Sequence, residues 1–237
     1  MKSEILARRK MSRKIFKIIT QNRLTILWFT LLAIIVIGFV VAALLNNKGS
    51  FTVTLPREQM VNLGLVISDT PDFLRPRHEI QCPPVVDLWN ITRDNIPKNV
   101  HEIDGEHNSR DYIAMTVYLK NTGSKDLDYT VDVDINEIFK NLDEALRVEL
   151  YINGESTIYA KRRSSWSNGP EPGTVSFLGN VRIISLEPRP INVNQVDKFT
   201  FVAWIEGNDP DCTNELLGGF VKMTMSFNAQ RVREAAN

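Results

Sequence analysis

The sequence predicts a mainly β protein in which a single N-terminal transmembrane helix precedes an antiparallel β-sandwich with a jelly-roll-like arrangement. Three observations carry this prediction: an uncharged apolar run at residues 24–45, period-two alternation in most later segments, and turn residues between those segments. With 237 residues, 43% of them apolar and 24% charged, the chain is long enough for one globular domain plus an accessory segment.

The charges of the chain are distributed unevenly. Residues 1–23 carry eight of the 28 basic side chains and one acidic side chain, whereas residues 24–45 carry no charge. The rest of the chain holds 20 basic and 27 acidic residues, a layout typical of a membrane-anchored protein. Because positive charge is retained on the cytoplasmic side, residues 1–23 are predicted to be a cytoplasmic tail and the C-terminal domain to be extracellular. Phe16 is the only aromatic residue of this tail, so the stacking pattern of a nucleic-acid-binding segment is missing and no nucleic-acid partner is expected.

The apolar run at residues 24–45 is predicted to be a signal-anchor helix whose partner is the lipid bilayer. Its 22 residues would span about 33 Å, which matches the hydrocarbon layer, and Trp28 near its basic end suits the interfacial aromatic belt. The alternative is a signal peptide cleaved after Ala43. The run is longer than the apolar region of a secretory signal, which favours a retained anchor.

Beyond the anchor, we expect a spacer at 46–50, one extracellular sandwich domain at 51–228 and a C-terminal tail at 229–237. Four segments of the domain alternate with apolar side chains on one face, which predicts strands half buried in a common core. The expected inward residues are Ile113, Met115, Val117 and Leu119; Val131, Val133 and Ile135; Phe199, Phe201, Ala203 and Ile205; and Val221, Met223, Met225 and Phe227.

Connections between strands are predicted from turn residues and local periodicity. Asn153-Gly154, between two strand-like runs, predicts a two-residue β-hairpin turn. Apolar residues at i, i+4 and i+8 within residues 136–148 predict a short helix between strands. Residues 69–110 are rich in proline and charge and are expected to contain little regular structure.

Several acidic and histidine-containing segments share part of a known site pattern. The segment "HEIDGEH" (residues 101–107) lacks the helical HExxH spacing, and we interpret it as a solvated polar turn. Asp132, Asp134 and Asn136 begin like a calcium loop but lack its glycine, so they are interpreted as the solvated face of a strand. Residues 206–215 also depart from that pattern, although an irregular calcium site stays open there. No catalytic, metal or cofactor-binding residue is assigned.

The loop that contains residues 206–215 follows one alternating strand and precedes another. We therefore expect it to connect two neighbouring strands of one sheet, with its carboxylates mainly solvated. The chain has two cysteines, Cys82 and Cys212, and outside the cytoplasm an even count favours one disulfide between them. The spacing itself does not show that the two sulfurs meet.

The segments "HEIDGEHNSRDYIAMTVYLKNTG", "EALRVELYINGESTIYAKR" and "FVAWIEGNDPDCTNELLGGFVKM" resemble a group of uncharacterised, membrane-anchored surface proteins of Gram-positive bacteria over about residues 50–228. More loosely, the N-terminal apolar segment followed by "YLKNTG" is similar to the TasA/camelysin group of secreted jelly-roll proteins. This resemblance implies a jelly-roll fold and a cell-surface location. It transfers no catalytic residues, because the sequence has no zinc-protease motif.

The sequence favours a non-enzymatic surface protein that binds or supports an unknown protein or polymer of the cell envelope. Two alternatives stay open. A metal-dependent hydrolase would need residues 101–107 and 206–215 to converge in one pocket. A matrix or pilus-type subunit would need cleavage of the anchor and an open edge strand for assembly.

Overall fold

The computed structural model describes residue 23 and residues 25–42, 49–85, 88–162 and 172–232, without the side chains of residues 231–232. The chain divides into two compact units, Met1–Asn47 and Lys48–Asn237. Nearly all of the predicted cytoplasmic tail, residues 46–48 of the predicted spacer and the last five residues of the predicted C-terminal tail lie outside the described residues.

The first unit contains helix α1 (Thr25–Ala42), which occupies the predicted transmembrane segment. Its 18 residues rise about 27 Å, close to the thickness of the hydrocarbon layer. All of its side chains are exposed. α1 is thus a candidate membrane span or signal anchor, while residues 43–45 of the predicted segment lie outside the described residues.

The second unit is mainly β, as the alternation predicts. It also contains one short helix, α2 (Arg57–Leu63), between its first two strands. The strands are β1 (Ser50–Thr54), β2 (Leu65–Ser68), β3 (Glu79–Cys82), β4 (Gly105–Glu106), β5 (Tyr112–Asn121), β6 (Leu127–Phe139), β7 (Leu146–Ile152), β8 (Glu155–Ala160), β9 (Val175–Ser176), β10 (Arg182–Ser185), β11 (Arg189–Ile191), β12 (Val196–Ile205) and β13 (Phe220–Val232).

These strands form two sheets. The first sheet has the order β10–β6–β13–β1–β3, with β11 also paired to β6. The second sheet has the order β2–β5–β12–β7–β8–β9, with β4 also paired to β5. Most pairs are antiparallel, but β1 runs parallel to β13 and β8 runs parallel to β9. The predicted antiparallel pairing therefore holds for most of the sandwich, and these two parallel pairs depart from it.

The core lies between the two sheets and is closed by aromatic contacts across them. Phe51 on β1 stacks on Phe201 on β12, with ring centroids 3.8 Å apart, and Phe199 meets Phe227 on β13 at 4.9 Å. All fifteen inward residues predicted from the alternation are buried in this one core cluster. The period-two pattern therefore predicted the buried face of β5, β6, β12 and β13 correctly.

The sandwich has two distinct ends. At one end, β6 and β12 finish while β1 and β13 begin; we call this the loop end, because residues 206–219 cross it. At the opposite end lie α2 and the β7–β8 turn, and we call this the hairpin end. The β13 strand continues through Val232, four residues beyond the domain boundary predicted at 228.

The β7–β8 connection is the two-residue hairpin that Asn153-Gly154 predicted. Asn153 has φ 52° and Gly154 has φ 93°, so both central residues have the positive φ of a type I′ turn. The Asn153 side chain adds two bonds to β12: its Oδ1 accepts from the Lys198 amide at 2.8 Å, and its Nδ2 donates to Asp197 at 3.0 Å.

The helix predicted within residues 136–148 is wrong. The β6 strand continues through Phe139, and only Leu142–Glu144 form a 3-10 turn before β7 begins. Lys140 and Asn141 have φ values of 58° and 52°, a left-handed conformation that cannot propagate a right-handed helix. The apolar residues spaced by four are instead contributed by the end of a strand, a turn and the start of the next strand.

A substitution at Gly154 tests the hairpin. Gly154→Val should lower the free energy of unfolding by more than about 1 kcal/mol, because a β-branched side chain resists positive φ. No atom lies within 4 Å of the Cβ position, so backbone strain is the expected cause rather than a clash. Glu155→Val, on an exposed strand residue beside the turn, is the matched control and should change stability little. Equal thermal unfolding midpoints for the two variants would contradict the turn assignment.

Candidate functional site

Residues 206–219 connect the two sheets rather than two neighbouring strands. The preceding strand, β12, pairs with β5 and β7 in the second sheet, whereas β13 pairs with β6 and β1 in the first. The expectation that β12 and β13 are neighbours in one sheet is therefore wrong. The two strands face each other across the core, which gives them the same alternation, and their connection crosses the loop end.

Two carboxylates at the start of this loop are buried, which corrects the expectation that its acids are mainly solvated. Asp209 forms an ion pair with Arg147 at 2.5 Å, and both side chains are buried. The Oδ1 of Asp209 also accepts from the Asp211 amide at 2.8 Å. Glu206, buried as well, accepts a hydrogen bond from the Trp204 indole at 3.0 Å. These acids are buried because they satisfy a buried guanidinium, an indole and the loop backbone.

The later part of the loop lines a polar cleft of about 390 Å³ at the loop end. A 3-10 turn at Asn214–Leu216 forms one wall, and the β6–β7 connection forms the other. The ammonium group of Lys140 ties the two walls by donating to the Leu217 carbonyl. The lining residues are Lys140, Asn141, Glu144, Asp211, Thr213, Glu215 and Leu216.

The cleft offers both hydrogen-bond acceptors and donors. Glu144, Asp211 and Glu215 contribute carboxylates, while Lys140 and Asn141 contribute an ammonium and an amide. Glu144 is already held by Lys161 at 2.7 Å. Within the part of the chain that the structure describes, no group of three or more His, Cys, Asp or Glu side chains has an arrangement that could hold a metal ion. The lining of the cleft thus combines charged and neutral hydrogen-bonding groups.

The two cysteines lie on segments near the loop end and are free thiols in this structure. Cys82 pairs with Phe51 near the start of β1; burial raises the pKa of its thiol to about 11, with Asn108 opposing that shift through a hydrogen bond. Cys212 lies in the loop and accepts from the Asn90 amide at 3.5 Å. The disulfide between Cys82 and Cys212 stays a prediction.

The histidine-containing segment 101–107 lies against the outer face of the second sheet and contributes no residue to the cleft. His101 stacks on Tyr151 of β7, with centroids 4.8 Å apart. Asp104 accepts from the Tyr118 hydroxyl, and burial together with this bond raises the pKa of Tyr118. His107 donates from Nδ1 to the Gly105 carbonyl at 2.9 Å.

Sequence reasoning missed a buried charged cluster on this outer face. Arg93, from a 3-10 turn, contacts Glu149 at 2.6 Å and donates to the Tyr151 hydroxyl at 2.8 Å. Burial would lower the pKa of Arg93, but the hydrogen bond and charge of Glu149 outweigh that effect and raise it. The only sequence signal is the run "RVELY", which places Arg147, Glu149 and Tyr151 on one face of a strand.

The calcium-like segment that contains Asp132, Asp134 and Asn136 lies on β6 of the first sheet. Arg182 of β10 contacts Asp134 at 2.9 Å and Asp132 at 3.3 Å, and Ser185 donates to Asp132 at 2.6 Å. Asp132 is buried by these partners, although the alternation predicts a solvated residue there. Both carboxylates are held by a basic side chain from the adjacent strand.

Comparisons with known proteins identify no family. No family model and no curated protein matches the chain. Among solved structures, it is similar to a β-glucosidase from Kluyveromyces marxianus in complex with glucose, at 14% identity and a TM-score of 0.28 over 78% of this chain and 18% of that one. A selenomethionine-labelled structure of the β-glucosidase from the same organism gives 15% identity and a TM-score of 0.23 over 73% and 17%. The chain thus spans less than a fifth of those proteins, and a likeness at these TM-scores carries no argument about function.

The buried ion pair of the loop yields a stability prediction. Asp209→Ala should lower the free energy of unfolding by about 3–5 kcal/mol, because the buried guanidinium of Arg147 loses this carboxylate. Glu215→Ala, at an exposed acid of the same loop, is the control and should cost no more than about 0.5 kcal/mol. Denaturant unfolding of the detergent-solubilised chain, followed by tryptophan fluorescence, measures both. Similar small costs for the two variants would show that the Arg147–Asp209 pair does not hold the loop.

Proposed function

We propose that this protein is a single-pass, non-enzymatic membrane protein of the cell surface. Its N-terminus is cytoplasmic, and its sandwich, which we take to be jelly-roll-like, is extracellular. The basic composition of residues 1–23 beside the candidate span α1 supports this orientation. The resemblance to Gram-positive surface proteins favours the same location.

We further propose that the domain binds a polar component of the cell envelope, either a protein or a polymer, in the cleft at the loop end. The observation that supports this role is the cleft itself, about 390 Å³ in volume and lined by carboxylates, an ammonium, an amide and a hydroxyl. Such a mixture of donors and acceptors suits a ligand rich in hydroxyl, amine or amide groups. The buried acids Glu206 and Asp209 contribute by fixing the loop that forms one wall.

The orientation is tested by protease accessibility. Protease added to intact spheroplasts should digest the sandwich and spare the N-terminal tail, because the tail is on the cytoplasmic side. An epitope at each terminus reports the two fragments, and detergent-lysed spheroplasts provide the control in which both epitopes are lost. Survival of the C-terminal epitope in intact spheroplasts, with digestion after lysis, would contradict the proposed topology.

The binding role is tested by surface cross-linking. A membrane-impermeant cross-linker applied to intact cells should join the wild-type chain to an envelope component. Glu215→Arg should reduce the cross-linked product several-fold, because it reverses a charge in the cleft. The matched control is Glu155→Arg, the same reversal on an exposed residue at the hairpin end, and it should leave the product unchanged. Equal yields from wild type and both variants would exclude this cleft as the binding site.

A further inference from the structure

The loop end is where the chain from the anchor joins the sandwich. Gly49 lies against the backbone of β13, since a Cβ there would be 3.0 Å from the Val221 carbonyl oxygen, and Ser50 pairs with Lys222. Only residues 43–49 separate the last residue of α1 from the first residue of β1. A chain of that length reaches at most about 28 Å when fully extended. The loop end is therefore the end of the sandwich at which the short connection from α1 enters.

Large apolar side chains are exposed at this same end. Leu217 is 67% exposed, Phe139 is 48% exposed and Trp89 is 58% exposed. Leu217 and Phe139 are the chain neighbours of the lining residues Leu216 and Lys140, and Phe139 stacks on Phe220 with centroids 5.6 Å apart. Trp89 belongs to the same end because its neighbour Asn90 donates to Cys212 of the loop.

Basic side chains accompany two of these apolar groups. The guanidinium of Arg110 lies 4.3 Å from the centroid of Trp89, and the ammonium of Lys140 lies 5.9 Å from that of Phe139. Aromatic rings with adjacent Arg or Lys are the combination that membrane–water interfaces favour, since the ring enters the acyl boundary and the cation stays among headgroups. The carboxylates of Asp211 and Glu215 lie at the same end and offset these positive charges. The exposed apolar side chains, rather than a net positive charge, would therefore drive contact with lipid.

We propose that the loop end of the sandwich rests on the outer surface of the bilayer, with Leu217, Phe139 and Trp89 inserted at the headgroup level. This inference depends on the proposed membrane anchoring and deepens it. The contact places the cleft beside the membrane, so the envelope component that it binds lies at the lipid surface rather than farther out in the envelope.

Fluorescence quenching in nanodiscs of phosphatidylcholine tests the contact with the full chain. A fluorophore is attached at Leu217→Cys in a Cys82→Ala/Cys212→Ala background, and lipids with a nitroxide just below the headgroup act as quenchers. Val61→Cys is the matched control, because Val61 is an exposed apolar residue of α2 at the hairpin end. We expect quenching at Leu217→Cys to exceed that at Val61→Cys several-fold. Equal, weak quenching at both sites would overturn the proposal.

A second measurement keeps both native cysteines, in case their replacement perturbs the fold. Trp89→Phe should remove part of the nitroxide quenching of tryptophan emission from the otherwise unchanged chain, and an unaltered quenched fraction would overturn the proposed insertion of Trp89.

Retention in nanodiscs after size-exclusion chromatography distinguishes a failure of the lipid contact from a failure of the membrane anchoring. If the chain is retained but shows no quenching at Leu217→Cys, only the proposed lipid contact is contradicted. If the chain is not retained, the proposed membrane anchoring is contradicted.

Discussion

The structure of the second unit depends on aromatic contact between its two sheets. Phe199 and Phe201 of β12 meet Phe227 of β13 and Phe51 of β1, respectively, across the core. Because β12 and β13 face each other rather than share a sheet, residues 206–219 must cross from one layer to the other. A crossing connection lies outside both sheets, so its backbone needs polar partners of its own. The Asp209 carboxylate supplies one by accepting from the Asp211 amide, and it also pairs with Arg147 on the outer face of the second sheet.

The elements that could be predicted from sequence are those set by local chemistry. Period two follows from the pleat of a strand, so the inward residues of β5, β6, β12 and β13 could be read without knowledge of their neighbours. Asn153-Gly154 specified its turn because both residues tolerate positive φ. The sheet to which each strand belongs could not be predicted in this way. Strands that pair and strands that face each other across a core show the same alternation, so no local pattern could assign β13 to the first sheet.

The burial of the outer face of the second sheet is another property that sequence patterns did not predict. Arg147 and Glu149 alternate with the core residues of β7 and so lie on its outer face, yet both side chains are buried. The irregular segment between β3 and β5 covers this face and supplies Arg93 to Glu149, while the loop supplies Asp209 to Arg147. A strand's own sequence does not encode which distant segment covers it.

The short helix α2 was missed for a different reason: with Met60 and Leu63 as its core contacts, it has too few apolar positions to establish a helical period.

The sheet topology explains why the cleft lies at the loop end of the sandwich. The hairpin end is closed by a two-residue turn and by α2. At the loop end, the β6–β7 connection and the crossing segment 206–219 form the two walls of the cleft, and Lys140 and Asn141 of the first wall have positive φ. Polar groups gather there because two connections must satisfy their backbones outside the sheets. The parallel pairing of β1 with β13 then brings the start of β1 to that same end, so the chain enters the sandwich at the end where the cleft lies.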